Sequence, residues 1–342
     1  MSNFTYFPIM KTRDAELKAM THLKDDVFDK ILPIYELTKS RKTKTTPDGD
    51  IHRRMKELKE IQKGRPFILD ICINENYMNA QLEQLLSPDN GYFEWQYFIN
   101  TYNELNIIPM VHIDDNDSLH NMESFILSQS KKGRSIAARF PININNIDEY
   151  IKIITSTMTV NQKLFIILDS EQITESNIDE VIANLQLNMA KIKPILNENI
   201  NAIIAGTSFP KTVADYGDKE GDIPIFEEYI YEKFQEPYVL YGDYASINIE
   251  QIEIKGGTFV PRIDVSLENI IFYKRYRRNA GSYQKCAEYI LKDKRYAAMD
   301  IWPDKEIAKA KGNEPSGISP SFWISVRMNH FMNTRVKLRS KG

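Results

Sequence analysis

The stretch KLFIILDSEQI, Lys163 to Ile173, sets five apolar residues in a row, Leu164 to Leu168, and then stops on a carboxylate, Asp169. Runs of this length and composition read as strands buried on both faces, the habit of parallel sheets. Seven more runs share the pattern: YFPIMKT from Tyr6, ILPIYELT from Ile31, RPFILDICI from Arg65, IIPMVHID from Ile107, SIAARFPI from Ser135, NAIIAGTS from Asn201 and YVLYGDYA from Tyr238. The segments between them have helical spacing. DAELKAMTHLKDDV places Leu17, Met20 and Leu23 on one face, HRRMKELKEIQ places Met55, Leu58 and Ile61, and NNIDEYIKIITSTM places Ile147, Ile151 and Ile154. SNIDEVIANLQLNMAKI opens on Ser176 as an N-cap, with Asp179 three residues on. This alternation is the rhythm of βα units, and eight of them predict a closed α/β barrel of the (β/α)8 TIM type. An open doubly wound sheet is the alternative. The chain lacks the dinucleotide glycine fingerprint, the P-loop and the G-x-S-x-G elbow that would favour it.

With 342 residues, 42% of them hydrophobic and 27% charged, the chain is an ordinary globular mixture with ample core. A net charge of -3 and a pI of about 6.1 exclude a global basic field, so any nucleic-acid surface has to be a local patch. No apolar run is long enough for a membrane span, and the start MSNFTYFPIM lacks the order of a signal peptide. A cytoplasmic protein is expected, with Cys72 and Cys286 as buried, reduced thiols. The organisation read from the chain is one barrel domain, 1–342. A long connection, 211–237, follows the seventh strand, and an insertion, 256–319, separates the eighth strand from the last helix. In that insertion GTFVPRIDVS and ENIIFYKRYRR form a predicted antiparallel hairpin, SYQKCAEYILKD a helix and KGNEPSGISP a loop, before the final helix SFWISVRMNHFMNTRVK.

Side chains on a strand alternate between two sides. In the parity set by Asp169, one side carries Phe165, Ile167 and Asp169. The matching sets are Phe7, Ile9, Lys11; Leu32, Ile34, Glu36; Ile68, Asp70; Met110, His112, Asp114; Ala137, Arg139; Ile204, Gly206, Ser208; and Val239, Tyr241, Asp243. Each begins apolar or small and ends polar or charged, which predicts a filled barrel with a polar ring at its C-terminal mouth, where barrel enzymes keep their sites. Glu36, Asp70 and Asp169 are hard oxygen ligands suited to Mg2+ or Mn2+. Lys11 and Arg139 suit a phosphate, and His112 an acid or base. The candidate catalytic residues are therefore Asp169, Asp70, Glu36 and His112. The candidate ligand contacts are Lys11, Arg139, Ser208, Tyr241, Asp243 and Arg275. The matching chemistry is metal-assisted phosphoester hydrolysis on a nucleotide or nucleic acid, although the carboxylates come from separate strands and form no local metal signature. The competing reading is a salt-bridge layer that closes the barrel, with His112 a satisfied histidine near the core. FYKRYRRNAGSYQK, from Phe272, interleaves Lys274, Arg275, Arg277, Arg278 and Lys285 with aromatics, suited to phosphates and bases or to a charge-protected edge strand. Arg327, Asn329 and His330 on the last helix read as surface or capping groups.

Several short blocks recur together. Tyr6 to Lys11 is an aromatic-x-Pro-x-hydrophobic-Lys strand, Glu16 to Ala19 a Glu-x-x-Ala helix turn, and Pro33 to Glu36 a Pro-hydrophobic-x-Glu strand. ILD ending at Asp70, LDSEQI, GTSFP, YGDYASI and FVPRI follow in order. Over nearly the whole chain this resembles the Beta protein family of phages and bacterial mobile elements, named after a phage exclusion protein. The resemblance implies a cytosolic, single-chain component of antiviral defence whose partners are other defence proteins encoded nearby. It implies no reaction and assigns no catalytic residue. Three function classes follow. One is a hydrolase at the mouth. Another is a non-catalytic sensor that binds a nucleotide, a nucleic-acid end or a phage protein and signals to a partner. The last is a structural partner in a toxin–antitoxin-like set, which would show an exposed apolar patch. Room and open metal positions at the mouth mark the hydrolase; a mouth plugged by its own salt bridges marks the sensor.

Overall fold

The computed structural model describes residues 4–113, 118–250 and 259–340. Asp114, the last member of its parity set, and the start of the expected hairpin, 256–258, lie outside the described residues. The strands in chain order are β1 Phe7–Lys11, β2 Ile34–Leu37, β3 Phe67–Ile71, β4 Ile107–Val111, β5 Ile136–Pro141, β6 Leu164–Gln172, β7 Ile200–Thr207, β8 Glu220–Pro224, β9 Val239–Asp243, β10 Arg262–Ser266 and β11 Ile270–Arg275. The helices are α1 Asp14–Thr21, α2 Asp25–Phe28, α3 Ile51–Gln62, α4 Ala80–Leu85, α5 Asp89–Thr101, α6 Leu119–Lys131, α7 Ile147–Thr157, α8 Ile178–Ile192, α9 Phe226–Glu232, α10 Ser282–Lys292, α11 Trp302–Lys311 and α12 Pro320–Arg339. Strands β1 to β7 and β9 pair in parallel and close into a barrel in that order, as the eight apolar runs predict. Among the described residues no helix is long and apolar enough to cross a membrane.

The opening stretch shows why two faces are apolar. Leu164, Ile166 and Leu168 of β6 pack outward with the helices, while Phe165 and Ile167 fill the barrel beside Phe7, Ile34, Ile68 and Met110. Each such side chain, fully buried, contributes about 1.5–3 kcal/mol. The predicted parity holds from β1 to β6 and is inverted in β7 and β9. Pairing sets Ile167 beside Ile203 and Asp169 beside Ala205, so Ile203 and Ala205 point inward and Ile204 packs against the helices. In β9 and just past its end the inward residues are Leu240, Gly242 and Tyr244. A Cβ on Gly242 would come within 2.8 Å of Ile203 Cγ2. The cause is composition: NAIIA and VLY are apolar at both parities, so their own pattern cannot choose a face.

A second layer lies beyond the barrel. Strands β8, β11 and β10 form an antiparallel sheet with β11 in the middle. The predicted hairpin is β10–β11; β8 comes from the 211–237 connection, where the short, mostly polar EGDIP gives little strand signal. The interior of this layer holds Ile263, Val265, Phe272, Cys286, Ile290 and Trp323, with α10, α11 and α12 supplying the helical side. Helix α11 has no counterpart among the predicted elements, since Ile307 and Ala310 are its buried apolar contacts past the opening Trp302-Pro303. Helix α12 runs between α1 of the barrel and β10 of the sheet. That placement corrects the surface reading of Arg327, Asn329 and His330, all of which are buried. Asn329 Nδ2 donates to Ala19 O at 2.8 Å, and His330 Nδ1 accepts from Ser266 N at 3.3 Å. Cys72 and Cys286 are free and buried.

Candidate functional site

Near the C-terminal ends of β1, β2, β3, β5 and β6, five charged side chains form one cluster, in which three carboxylates converge on the Arg139 guanidinium. Arg139 donates from Nε and Nη2 to Asp169 Oδ2 at 2.9 and 2.7 Å, and from Nη1 to Glu36 Oε1 at 2.8 Å and Asp70 Oδ2 at 3.1 Å. Its Nη2 also donates to the Tyr244 hydroxyl at 2.7 Å, and that hydroxyl donates to Asp169 Oδ2 at 2.6 Å. Lys11 Nζ closes the group from the far side, 3.0 Å from Glu36 Oε2. The outer carboxylate oxygens are taken by backbone: Asp70 Oδ1 accepts from Ile71 N at 2.8 Å and Asp169 Oδ1 from Glu171 N at 2.9 Å. Arg139 and Asp70 keep the most contact with solvent; Asp169 keeps the least.

The two carboxylates that share Arg139 Nη1 differ electrostatically. Burial opposes the charge of both. For Glu36, Lys11 and Arg139 together outweigh burial and bring its carboxyl down to about 2. Asp70 has no second cation, so burial, aided by the neighbouring Glu36 charge, leaves it above its ordinary value. The same acids, with Tyr244, hold Arg139 well above its already high value despite burial. Beside the knot, β6 carries an irregularity between Asp169 and Gln172, and Glu171 sits there with a φ of 51°. Ala245 and Ser246, just past β9, also have left-handed backbones, at 48° and 65°. Such strain is held in place only by its surroundings. Here Asp169 Oδ1 holds the Glu171 amide, and Asp243 Oδ1 the Ala245 amide at 2.7 Å. Glu171 is solvent-exposed, and partial burial beside Asp169 pushes its carboxyl up.

The structure brings Lys11, Glu36, Asp70, Arg139 and Asp169 together and places the other candidates elsewhere. His112 follows the end of β4, so strand alternation no longer aims it. Its ring packs 5.1 Å from that of Tyr92 and 5.3 Å from that of Trp95 on α5. Both its nitrogens are buried without a hydrogen-bond partner, and burial brings it down to about 4, so it is neutral. Ser208, Tyr241 and Asp243 belong to the barrel–helix layer, a consequence of the inverted parity. Ser208 meets Glu227 of α9, Asp243 accepts from the Tyr6 hydroxyl at 2.5 Å, and Tyr241 lies under Arg339 of α12. Arg275 sits on β11, paired with Asp218 at 2.9 Å. Tyr244 and Glu171 are members of the mouth that the sequence pattern missed. An inward Gly242 is the signal that would have turned Tyr244 toward Asp169.

This donor set does not fit the divalent ion expected from the carboxylates. Arg139 shares their parity and depth, and its guanidinium occupies the centre to which a metal would have to bind. Among the described residues no group of three His, Cys, Asp or Glu side chains is arranged to hold a metal ion.

The sequence profile described as Beta protein matches residues 6–337. The chain is similar to Protein beta of Enterobacteria phage P4, with 28% identity over 346 residues, covering 98% of this chain and 94% of that one. No solved structure matches it. The match spans β1 through almost all of α12, so barrel and outer sheet fall within it together, and the chain belongs to the Beta protein family.

Proposed function

We propose that this protein is a phage-exclusion component that works by recognition at the barrel mouth, binding a phage protein and signalling to a partner, without metal-assisted hydrolysis. The position of Arg139, bonded at once to Glu36, Asp70, Asp169 and Tyr244, carries this reading. A metal-dependent hydrolase needs carboxylate oxygens free to share an ion; here a guanidinium takes them. Charge favours a protein over a nucleotide as the ligand. Three acids face two cations in the knot, and the exposed Glu171 adds to the acidic side. A phosphate is repelled by that balance, whereas a lysine or arginine of a partner can approach Asp70 and Glu171. Membership in a family with a phage relative supports the phage context.

The test pairs phage plating with enzymology. Cells expressing the wild type should lower the plating of at least one phage in a broad panel. Asp70→Asn and Glu171→Lys should lose that protection while melting as the wild type does. Purified protein with Mg2+ or Mn2+ should cleave neither nucleotides nor nucleic acid. Metal-dependent cleavage that disappears in Asp169→Asn would replace recognition with catalysis, and full protection by both variants would remove the mouth from the function.

A further inference from the structure

The basic, aromatic segment FYKRYRRNAGSYQK runs from β11 into the first turn of α10. The acids on this side of the molecule already have partners. Asp218 holds Arg275 at 2.9 Å, Glu220 holds Lys274 at 2.5 Å, Asp222 holds Arg295 at 2.8 Å, Asp293 holds Arg295 at 2.9 Å, and Glu288 holds Lys292 at 2.5 Å. Among the described residues Arg277, Arg278 and Lys285 make no ion pair, and Arg277 and Arg278 are exposed. Two of these cations touch aromatic rings instead: Lys285 Nζ lies 4.8 Å from the centre of Tyr276, and Arg278 lies 5.0 Å from that of Phe259. Tyr276 in turn stacks on Tyr289 of α10, with ring centres 5.5 Å apart and planes 30° from parallel, and Tyr289 is 41% exposed. Gly281 makes the arrangement possible. Its φ is +113°, and a Cβ there would come within 2.7 Å of Lys285 Cβ, so the lysine stem lies directly across the turn.

Unneutralised cations next to a stacked ring pair whose outer member, Tyr289, is exposed offer two things at once: charge for phosphates and a flat π surface for a base. A duplex hides its base faces, and an acidic peptide would leave the rings unused. We propose that this surface binds single-stranded nucleic acid, with a base stacking on the Tyr276–Tyr289 pair and flanking phosphates taken by Arg277, Arg278 and Lys285. The surface is independent of the barrel mouth and of the reading given to it.

The full-length protein is titrated into a fluorescein-labelled oligothymidylate of about 15 nucleotides, within the usual range for such sites, and anisotropy is followed. Binding should saturate, and log affinity should fall against log salt with a slope of about -2, as expected for about three phosphate contacts on a single strand. R277E/R278E should weaken binding at least about tenfold and flatten that slope. Tyr289→Ala should weaken it about fivefold or more with the slope unchanged, as expected for loss of a stacked base. Both variants should melt as the wild type does, and a duplex of equal length should bind more weakly. Absence of binding at low salt, or an unaffected R277E/R278E, overturns the proposal. Equal binding of duplex, or a Tyr289→Ala variant that binds normally while polyglutamate competes, overturns it in favour of a purely electrostatic surface for duplex or for an acidic protein.

Discussion

At the scale of single residues, Arg139 is the pivot. Replacing it with Met leaves Asp70 and Asp169 buried without a cation, so Arg139→Met should lose about 3–5 kcal/mol of stability. Asp169→Asn should cost less, about 1–2 kcal/mol, because Arg139 keeps Glu36 and Asp70 as partners. Urea denaturation at neutral pH checks both, and an Arg139→Met protein as stable as the wild type would show that the knot does not hold the barrel together. Glu36 carries a pH signature of its own. Its folded carboxyl is held near 2, below an ordinary value of 4.5, so its contribution is present above about pH 4.5 and is lost as pH falls toward 2. Asp70, shifted upward, acts in the opposite sense. The five charged members of this knot were legible in the sequence because each ends an apolar run at one parity. Their pairing was not legible. Whether a carboxylate meets a metal or a guanidinium depends on distances across the mouth, and Arg139 looks the same in sequence in either case.

Among the elements, the junction of β7 with α9 makes a pH-sensitive latch. Glu227, in the first turn of α9, accepts from Ser208 N at 2.7 Å and lies against Ser208 Oγ. Burial pushes its carboxyl up to about 7, and the Ser208 hydrogen bonds only partly oppose this. The folded value lies above the ordinary 4.5, so this group stabilises the fold at low pH and its contribution is lost as pH rises toward 7. Glu227→Gln is free of that loss. Relative to the wild type, it should therefore gain about 2.5 kcal/mol between about pH 5 and about pH 8. Urea midpoints measured across that range decide the matter, and parallel curves for the two proteins would rule the latch out. This element pairing escaped the sequence for the same reason as the parity of β7. An apolar run of Ile and Ala carries no alternation, so Ser208 was assigned to the barrel mouth when it belongs to the helix layer. Strand β8 and helix α11 were missed because both are short and sparsely apolar, and their neighbours supply the burial that stabilises them.

The whole molecule depends on α12, whose two sides face different layers. Toward the barrel, Arg339 holds Glu228 of α9 at 2.9 Å and lies 3.3 Å from the Tyr241 ring centre, and Arg335 also pairs with Glu228. Toward the sheet, Arg335 donates to Glu268 O at 2.8 Å, while Trp323 and Val326 join the core beneath α10 and α11. A chain ending after residue 319 would expose both faces and leave Glu228 without its cations. It should yield no cooperatively melting protein, as read by calorimetry and near-UV circular dichroism. A sharp transition in the truncated chain would show that the barrel stands alone.

The sequence by itself determined the barrel and most of its mouth. Apolar runs alternating with segments of helical period leave few ways to bury both, and a strand that ends in a charge declares which of its faces reaches solvent. From β1 to β6 those local signals sufficed except at His112, which lies past the end of β4 and packs against α5. The tertiary structure alone decided the register of β7 and β9, the turn of Tyr244 toward Asp169, the recruitment of β8 into a second sheet and the burial of a largely polar α12. The parity of a uniformly apolar strand is set by hydrogen bonds to its neighbours. The role of a charge is set by which opposite charge lies within about 3 Å of it, and neither is written in the spacing of residues along the chain.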